Sequence, residues 1–319
     1  MKKGLKALLF VFLGIVGIFL LIALWNFILT KIELKSLDDY GMAVSVNGRQ
    51  MRVYDEGEGD HTIVLLPGLG TAAPYFDFAP LRHALSINNR VVVVEPFGYG
   101  LSQQTDTERS ADIIVEEIHT ALQEASIDPP YVLVPHSLSG YYALAFASKY
   151  PDETEAFIGI EPTLPQEISY FGEEIPSADP ILGALLPMGI IRIMVMSDPA
   201  GAFPEAPEGT YTQEELDAIL KIAKCSSNNR NVINEMNNIS ADTDALVDIP
   251  FDQELPVLIF SRESPDGVEQ RADGRNNLTF YQSVIDGLKK GKVVQMNGHH
   301  YLHWTNAEEM AEMINDFLK

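Results

Sequence analysis

Apolar positions follow three rhythms along this chain. The first is unbroken: from Ala7 to Trp25 nineteen residues carry no charge and no strongly polar group, and Phe27 to Leu29 extend the run beyond Asn26. A helix of twenty-odd such residues spans about 30 Å, the hydrocarbon thickness of a bilayer. The second rhythm is a series of short runs. Residues 43–46 and 50–54 flank Asn47-Gly48, a hairpin signal between two strands. Residues 62–66, 91–94, 131–134, 156–160, 256–260 and 292–295 read as buried strands. The four valines at 91–94 are typical of a parallel strand covered on both faces. The third has helical spacing, with Ile113, Ile114, Ile118 and Leu122 in 109–125, then 139–149, and 307–318 at the end of the chain. Strands alternating with helices predict an α/β fold, a mostly parallel central sheet with helices on both faces.

Between residues 160 and 256 the alternation breaks. This stretch holds helix candidates at 181–196, 212–224 and 229–239, the first apolar nearly all round. It reads as one helix packed over the core, or as a lid whose inner face meets an apolar substrate at the carboxyl edge of the sheet. The expected organisation is an N-terminal transmembrane anchor with flanks at 1–35 and the first part of the core at 36–162. A helical cap insertion follows at 163–254, and the second part of the core at 255–319. Lys2, Lys3 and Lys6 precede the apolar run and Lys31 and Lys35 follow it. The basic excess favours a cytoplasmic amino end and a single-pass protein of the cell membrane, held through residues 7–29, with the larger part outside. A cleaved signal peptide is the alternative; its apolar region is usually about 7–15 residues, shorter than this run.

Charge and cysteine content narrow the function classes. Twenty-two basic against 45 acidic residues leave a net charge of −23, a field that repels phosphate backbones and excludes nucleic acid as an expected partner. The single cysteine, Cys225, rules out an internal disulfide and reads as a structural buried thiol. The glycines of 98–102 do not make a dinucleotide fingerprint, so no cofactor is expected.

The candidate chemistry sits at strand ends. Pro135-His136-Ser137-Leu138-Ser139-Gly140 follows a buried strand and opens a helix. A tight turn there lifts a serine oxygen above the sheet and aims the helix dipole at it. Small residues are needed two before and two after the serine; here they are Pro135 and Ser139. Leu65-Leu66-Pro67-Gly68-Leu69-Gly70 can turn a backbone N–H toward an oxyanion, so the amides of Leu69 and Leu138 are the candidate donors. Of seven histidines, His61, His83 and His119 read as surface residues, and His136 points away from the site. His299, His300 and His303 follow the last strand, where a loop brings a base over the nucleophile. A metal reading of these three lacks a carboxylate or cysteine at ligand spacing, so no metal is expected.

With these motifs in register, residues 42–319 resemble the α/β-hydrolase superfamily. The resemblance rests on the Pro67-Gly68-Leu69 loop, the Gly98-Tyr99-Gly100-Leu101-Ser102 loop, the His136-Ser137-Leu138-Ser139-Gly140 elbow and the closing histidine loop. It implies an esterase- or lipase-like serine hydrolase with Ser137 as nucleophile and His300 as general base, acting on a small-molecule or acyl-chain substrate. Serine rather than aspartate at the elbow argues against the dehalogenase and epoxide-hydrolase branches. The triad acid is open: Glu161 ends the strand after the nucleophile helix, while Asp266 and Glu263 follow the next strand. An aminopeptidase of the same fold and a non-catalytic binding relative are the alternative functions.

Overall fold

Asn47 and Gly48 both take positive φ, +51° and +77°, the pair of left-handed residues that a two-residue hairpin requires. They join β1 (Met42–Val46) to an antiparallel β2 (Arg49–Glu56). The buried runs supply β3 (Thr62–Leu66), β4 (Arg90–Glu95), β5 (Tyr131–Pro135), β6 (Thr154–Ile160), β7 (Val257–Arg262) and β8 (Gly291–Met296). This computed structural model describes residues 2–263 and 273–319. The strands form one sheet in the order β1-β2-β4-β3-β5-β6-β7-β8. β2 runs antiparallel to β4, and every pairing from β4 to β8 is parallel.

Twelve α-helices are found among the described residues: α1 (Lys2–Lys35), α2 (Pro74–Asp77), α3 (Ala79–Leu85), α4 (Ala111–Glu124), α5 (Ser139–Lys149), α6 (Pro165–Phe171), α7 (Pro180–Leu185), α8 (Ile190–Ser197), α9 (Gln213–Ser226), α10 (Arg230–Leu246), α11 (Asn277–Ile285) and α12 (Ala307–Leu318). Alternate residues of the central strands feed two cores. Val64, Leu66, Val92 and Val94 face Ile114, Ile118, Tyr141 and Phe280 of α4, α5 and α11. Ile63, Leu65, Val91 and Val93 face Leu81, Leu85, Met310 and Ile314 of α3 and α12. Burial on both faces is why these strands read as unbroken apolar runs.

Three expectations are corrected by the structure. The apolar stretch 181–196 is not one helix: α7 and a short 3₁₀ turn (Leu186–Met188) meet α8 at 65°. Pro187 cannot donate an N–H, and Gly189 takes φ +111°, so the chain turns there. The helix expected at 229–239 continues to Leu246 because Ile239, Thr243 and Leu246 prolong its buried stripe. The helix expected from 109 starts at Ala111; Arg109 is wholly buried outside it, paired with Glu117 at 2.6 Å. The short helices α2, α3, α6 and α11 fall below the length at which apolar periodicity is legible. α1 is one continuous helix whose apolar stretch has a mean hydropathy of 3.1, long and apolar enough to cross a membrane, a property that signal sequences share.

Candidate active site

Ser137 occupies the turn from β5 into α5 with φ +51°, a left-handed backbone that a non-glycine residue holds only when its surroundings enforce it. Its amide donates to the Ile160 carbonyl at 3.2 Å, and its own carbonyl accepts from Gly140 at 2.9 Å and Thr163 at 2.8 Å. Those bonds draw the end of β6 against the start of α5. At Gly140 a Cβ would lie 2.3 Å from the Thr163 oxygen, so only glycine permits the approach. Ser139 is buried, and its hydroxyl donates to the Pro67 carbonyl. The serine read as a stand-in for glycine therefore straps the elbow to the loop after β3.

That loop lies directly over the elbow. A Cβ on Gly68 would come within 2.6 Å of His136 Nδ1 and 3.1 Å of Ser137 Cβ. The amides of Leu69 and Leu138 donate to no acceptor among the described residues. Gly70 N–H donates to the Tyr99 hydroxyl at 3.2 Å, which in turn donates to Glu235 of α10 at 2.8 Å. The other Glu235 oxygen accepts from Tyr142 at 2.7 Å. Burial pushes Glu235 above the usual carboxylate range. Glu235 and the bonding role of Tyr99 were missed by sequence reasoning, although an acid on the buried stripe Val232–Ile239 is a visible signal. Glu95, at the end of β4, accepts from Leu101 N–H and the Tyr54 hydroxyl, and burial raises it to about 7.

The three closing histidines have three different environments. His300 Nδ1 faces Glu161 Oε2 at 3.6 Å. Glu161 follows β6 with φ +44° and is 3% exposed. Its Oε1 accepts from the Arg262 amide at 2.8 Å, and Arg262 Nε lies 3.2 Å from its Oε2. His303 is fully buried with Nε2 2.8 Å from Asp77, whose other oxygen accepts from the Trp304 indole. His299 stacks on Trp304 at 5.7 Å. His136 turns beneath the loop, its ring 4.8 Å from that of His300 and its Nε2 3.2 Å from the His300 carbonyl. Burial pushes His136 well below the ordinary histidine range and keeps it neutral. Glu263 is exposed, with its amide on the Met296 carbonyl, and Asp266 lies outside the described residues.

At the sheet's carboxyl edge the structure thus sets the 67–70 loop against Ser137 and His136, and His136 against His300, which pairs with Glu161. A cavity of about 420 Å³ begins beside them, at Gly70 and Tyr301, and runs between Trp304, Ile191 and Met194 of α8, and Ile219 of α9. Ser137, His300 and Glu161 are not among its lining residues; Tyr301, next in sequence to His300, is. His61 and His119 pair with Glu155 and Glu153 away from this point.

An eight-stranded sheet of this order, helices on both faces, with a strained turn after its fifth strand, is the α/β-hydrolase fold. The chain belongs to the alpha/beta hydrolase family, whose model matches residues 63–313. It is similar end to end to the Bacillus subtilis protein YbdG, 27% identical over all of this chain and 99% of that one. The human serine hydrolase BPHL is 38% identical over 112 residues, 34% of this chain and 38% of the relative. Among solved structures, the epoxide hydrolase VrEH1 from Vigna radiata superposes with a TM-score of 0.63 at 17% identity, over 87% of this chain and 97% of its own. A serine hydrolase involved in carbazole degradation gives 0.60 at 16% identity over 87% and 97%. At those identities the structural likeness is one of fold.

Proposed function

We propose that the protein is a membrane-anchored serine hydrolase that cleaves an ester or related acyl bond through an acyl-enzyme. The observation that carries this reading is the conjunction of a strained Ser137 elbow with a His300–Glu161 pair whose imidazole lies 4.8 Å from the ring of His136, the residue next to the serine. With Nδ1 turned to Glu161, His300 has Nε2 left to serve as the general base in this reading. Ser137 Oγ attacks the carbonyl carbon while His300 takes its proton and then gives it to the leaving alkoxide; water reverses the sequence to free the acid. Glu161 holds the tautomer and balances the imidazolium. The free amides of Leu69 and Leu138 flank Gly68 and the elbow, where an oxyanion develops. The BPHL likeness supports a serine mechanism, and α1 supports the anchor.

The test is hydrolysis of p-nitrophenyl esters from acetate to palmitate by the full chain in detergent. Ser137→Ala is expected to remove turnover and labelling by a fluorophosphonate together. Labelling without ester turnover would point to another acyl bond, such as the amide of an aminopeptidase. Neither labelling nor turnover would indicate a binding protein.

A further inference from the structure

The last turns of α1 are part of the folded body. From Phe19 onward one stripe of the helix is covered: Ile22, Asn26, Thr30 and Glu33, continued past its end by Leu37, recur at helical spacing, and Asn26 and Leu37 are buried. The partner of its polar residues is Arg192 of α8, 1% exposed, which bonds Asn26 at 2.5 Å, Thr30 at 3.2 Å and Glu33 at 2.6 Å. Asn26 also donates to the Pro187 carbonyl at 2.7 Å, and Gly189 lies so close that a Cβ would meet Ile22 at 2.7 Å. A polar residue in an apolar run is costly in lipid unless it is partnered; here Asn26 is what fastens the helix to the α7–α8 corner. Removing α1 as a signal peptide would leave a buried guanidinium without these three partners.

This joint fixes where the corner stands relative to a bilayer. The run Ala7–Trp25, free of charged and strongly polar groups, rises about 28 Å, roughly the full hydrocarbon thickness. One boundary therefore falls near Lys6 and the other near Trp25, an aromatic suited to the interface. Gly189 touches α1 at Ile22, one turn inside that second boundary, and Arg192 sits over Trp25 at 5.9 Å. α8 is about 12 Å long, so its whole surface lies close to that level.

The surface there is unlike the rest of the molecule. Outside α1, the exposed large hydrophobics among the described residues are Met42, Ile87, Ile181, Leu182, Ile193, Met194 and Met196. Five of the seven lie on α7 and α8. Residues 180–197 contain one charge, that of Arg192, in a chain of net charge −23, and Arg192 is turned inward. A contiguous apolar face with no ionised group suits the headgroup–acyl boundary. The inner face of the same helix, Ile191 and Val195, walls the cavity beside the candidate active site, and the exposed Met194 lies at its rim.

We infer that the α7–α8 corner is a second membrane-contacting element, clamped to α1 by Arg192 and seated at the headgroup–acyl boundary, so that the cavity receives acyl chains of bilayer-resident lipids across α8. This rests on the reading of α1 as an anchor and of the site as an acyl hydrolase. The occupant of the apolar face is lipid, because the face continues the surface of the spanning helix and α1 carries it to that depth.

The full chain in phosphatidylcholine vesicles tests it. A nitrobenzoxadiazole probe is placed at Leu13→Cys, Met196→Cys or Ile87→Cys, each in a Cys225→Ser background, with nitroxide-labelled phosphatidylcholine as quencher. Ile87 lies before β4, at the opposite edge of the sheet, and is the aqueous control. The expected result is strong quenching at 13 and 196, at least threefold above that at 87. Quenching at 13 but not at 196 overturns the inference and leaves the anchor standing; no quenching at 13 removes the anchor itself. Crosslinking of 196 to 196 without lipid quenching would assign the face to a second copy, which also overturns it. A second measurement uses turnover: the double variant Ile193→Asp, Met196→Asp is expected to lose about tenfold on a long-chain ester dispersed in the vesicles and nothing on soluble p-nitrophenyl acetate. Equal activity on both substrates overturns the inference. Absence of turnover in the unmodified chain fails the hydrolase reading alone, since the quenching result stands without it.

Discussion

Two residues of the candidate site, Ser137 and Glu161, hold left-handed backbones that neither side chain favours. Each costs on the order of 1 kcal/mol or more, and each carries one of the two groups that the proposed chemistry places on opposite sides of His300. Glu161 is buried beside an arginine, so its carboxylate is shared between Arg262 and His300. Replacing it by glutamine keeps the bulk and the Arg262 amide bond but removes the charge that stabilises the imidazolium. Glu161→Gln is expected to lower kcat about 100- to 10,000-fold with little change in KM, read by steady-state ester kinetics with circular dichroism to check the fold. If Glu263 or Asp266 supplies the acid, the loss appears in Glu263→Gln or Asp266→Asn instead. Ser137 and His300 could be named as candidates because each stands at a strand end with a motif around it, whereas the acid stayed open among Glu161, Glu263 and Asp266; the structure places Glu161 beside His300. The roles of Ser139 and His136 were not legible. Ser139 works through a hydroxyl bond to Pro67, and His136 through a contact with a loop 164 residues away, which local sequence does not encode.

At the scale of elements, the loops after β3 and β4 are tied to α10 by one chain of hydrogen bonds, Gly70 to Tyr99 to Glu235. Tyr142 of α5 holds the other oxygen of Glu235 and makes no hydrogen bond to the 67–70 loop among the described residues. The two tyrosines therefore separate stability from loop positioning. Tyr99→Phe leaves both the Gly70 amide and a buried carboxylate oxygen short of a partner, at an expected cost of about 1–3 kcal/mol. It is also expected to lower kcat, because the loop bearing the Leu69 amide loses its brace. Tyr142→Phe is expected to cost similar stability and leave kcat unchanged; denaturant titration and ester kinetics on the pair decide it. The regular elements were legible where the apolar rhythm was long: all eight strands, α1, α4, α5, α9 and α12. Residues 181–196 misread because composition reports how apolar a segment is and not where it bends. Pro187 and Gly189 were both visible, but a left-handed glycine acts as a corner only when something, here Ile22 of α1, packs into it.

For the whole molecule, the acidic excess is distributed in two ways that respond differently to pH. Most of the 45 acidic residues can remain hydrated, while Glu95, Glu167 and Asp242 are pushed up by burial, to about 7, about 7 and about 6. In the unfolded chain they return to ordinary values near 4.5 and 3.8. Between those limits the folded state holds protons that the unfolded state releases, so stability is greatest at the acid side of the window and falls as pH rises from about 4 to about 7. The melting temperature is therefore expected to be higher at pH 6 than at pH 8, reversing the usual behaviour of salt-bridged carboxylates. Surface repulsion among a net −23 would give a slope of the same sign, but salt separates the two. A tenfold rise in ionic strength from 0.1 M screens exposed charges to within about 3 Å and leaves a buried carboxylate unaffected. The slope is expected to persist in 1 M sodium chloride and to flatten in Glu95→Gln, whose amide oxygen can still accept from Leu101. A slope that vanishes with salt would place the pH dependence on the surface instead.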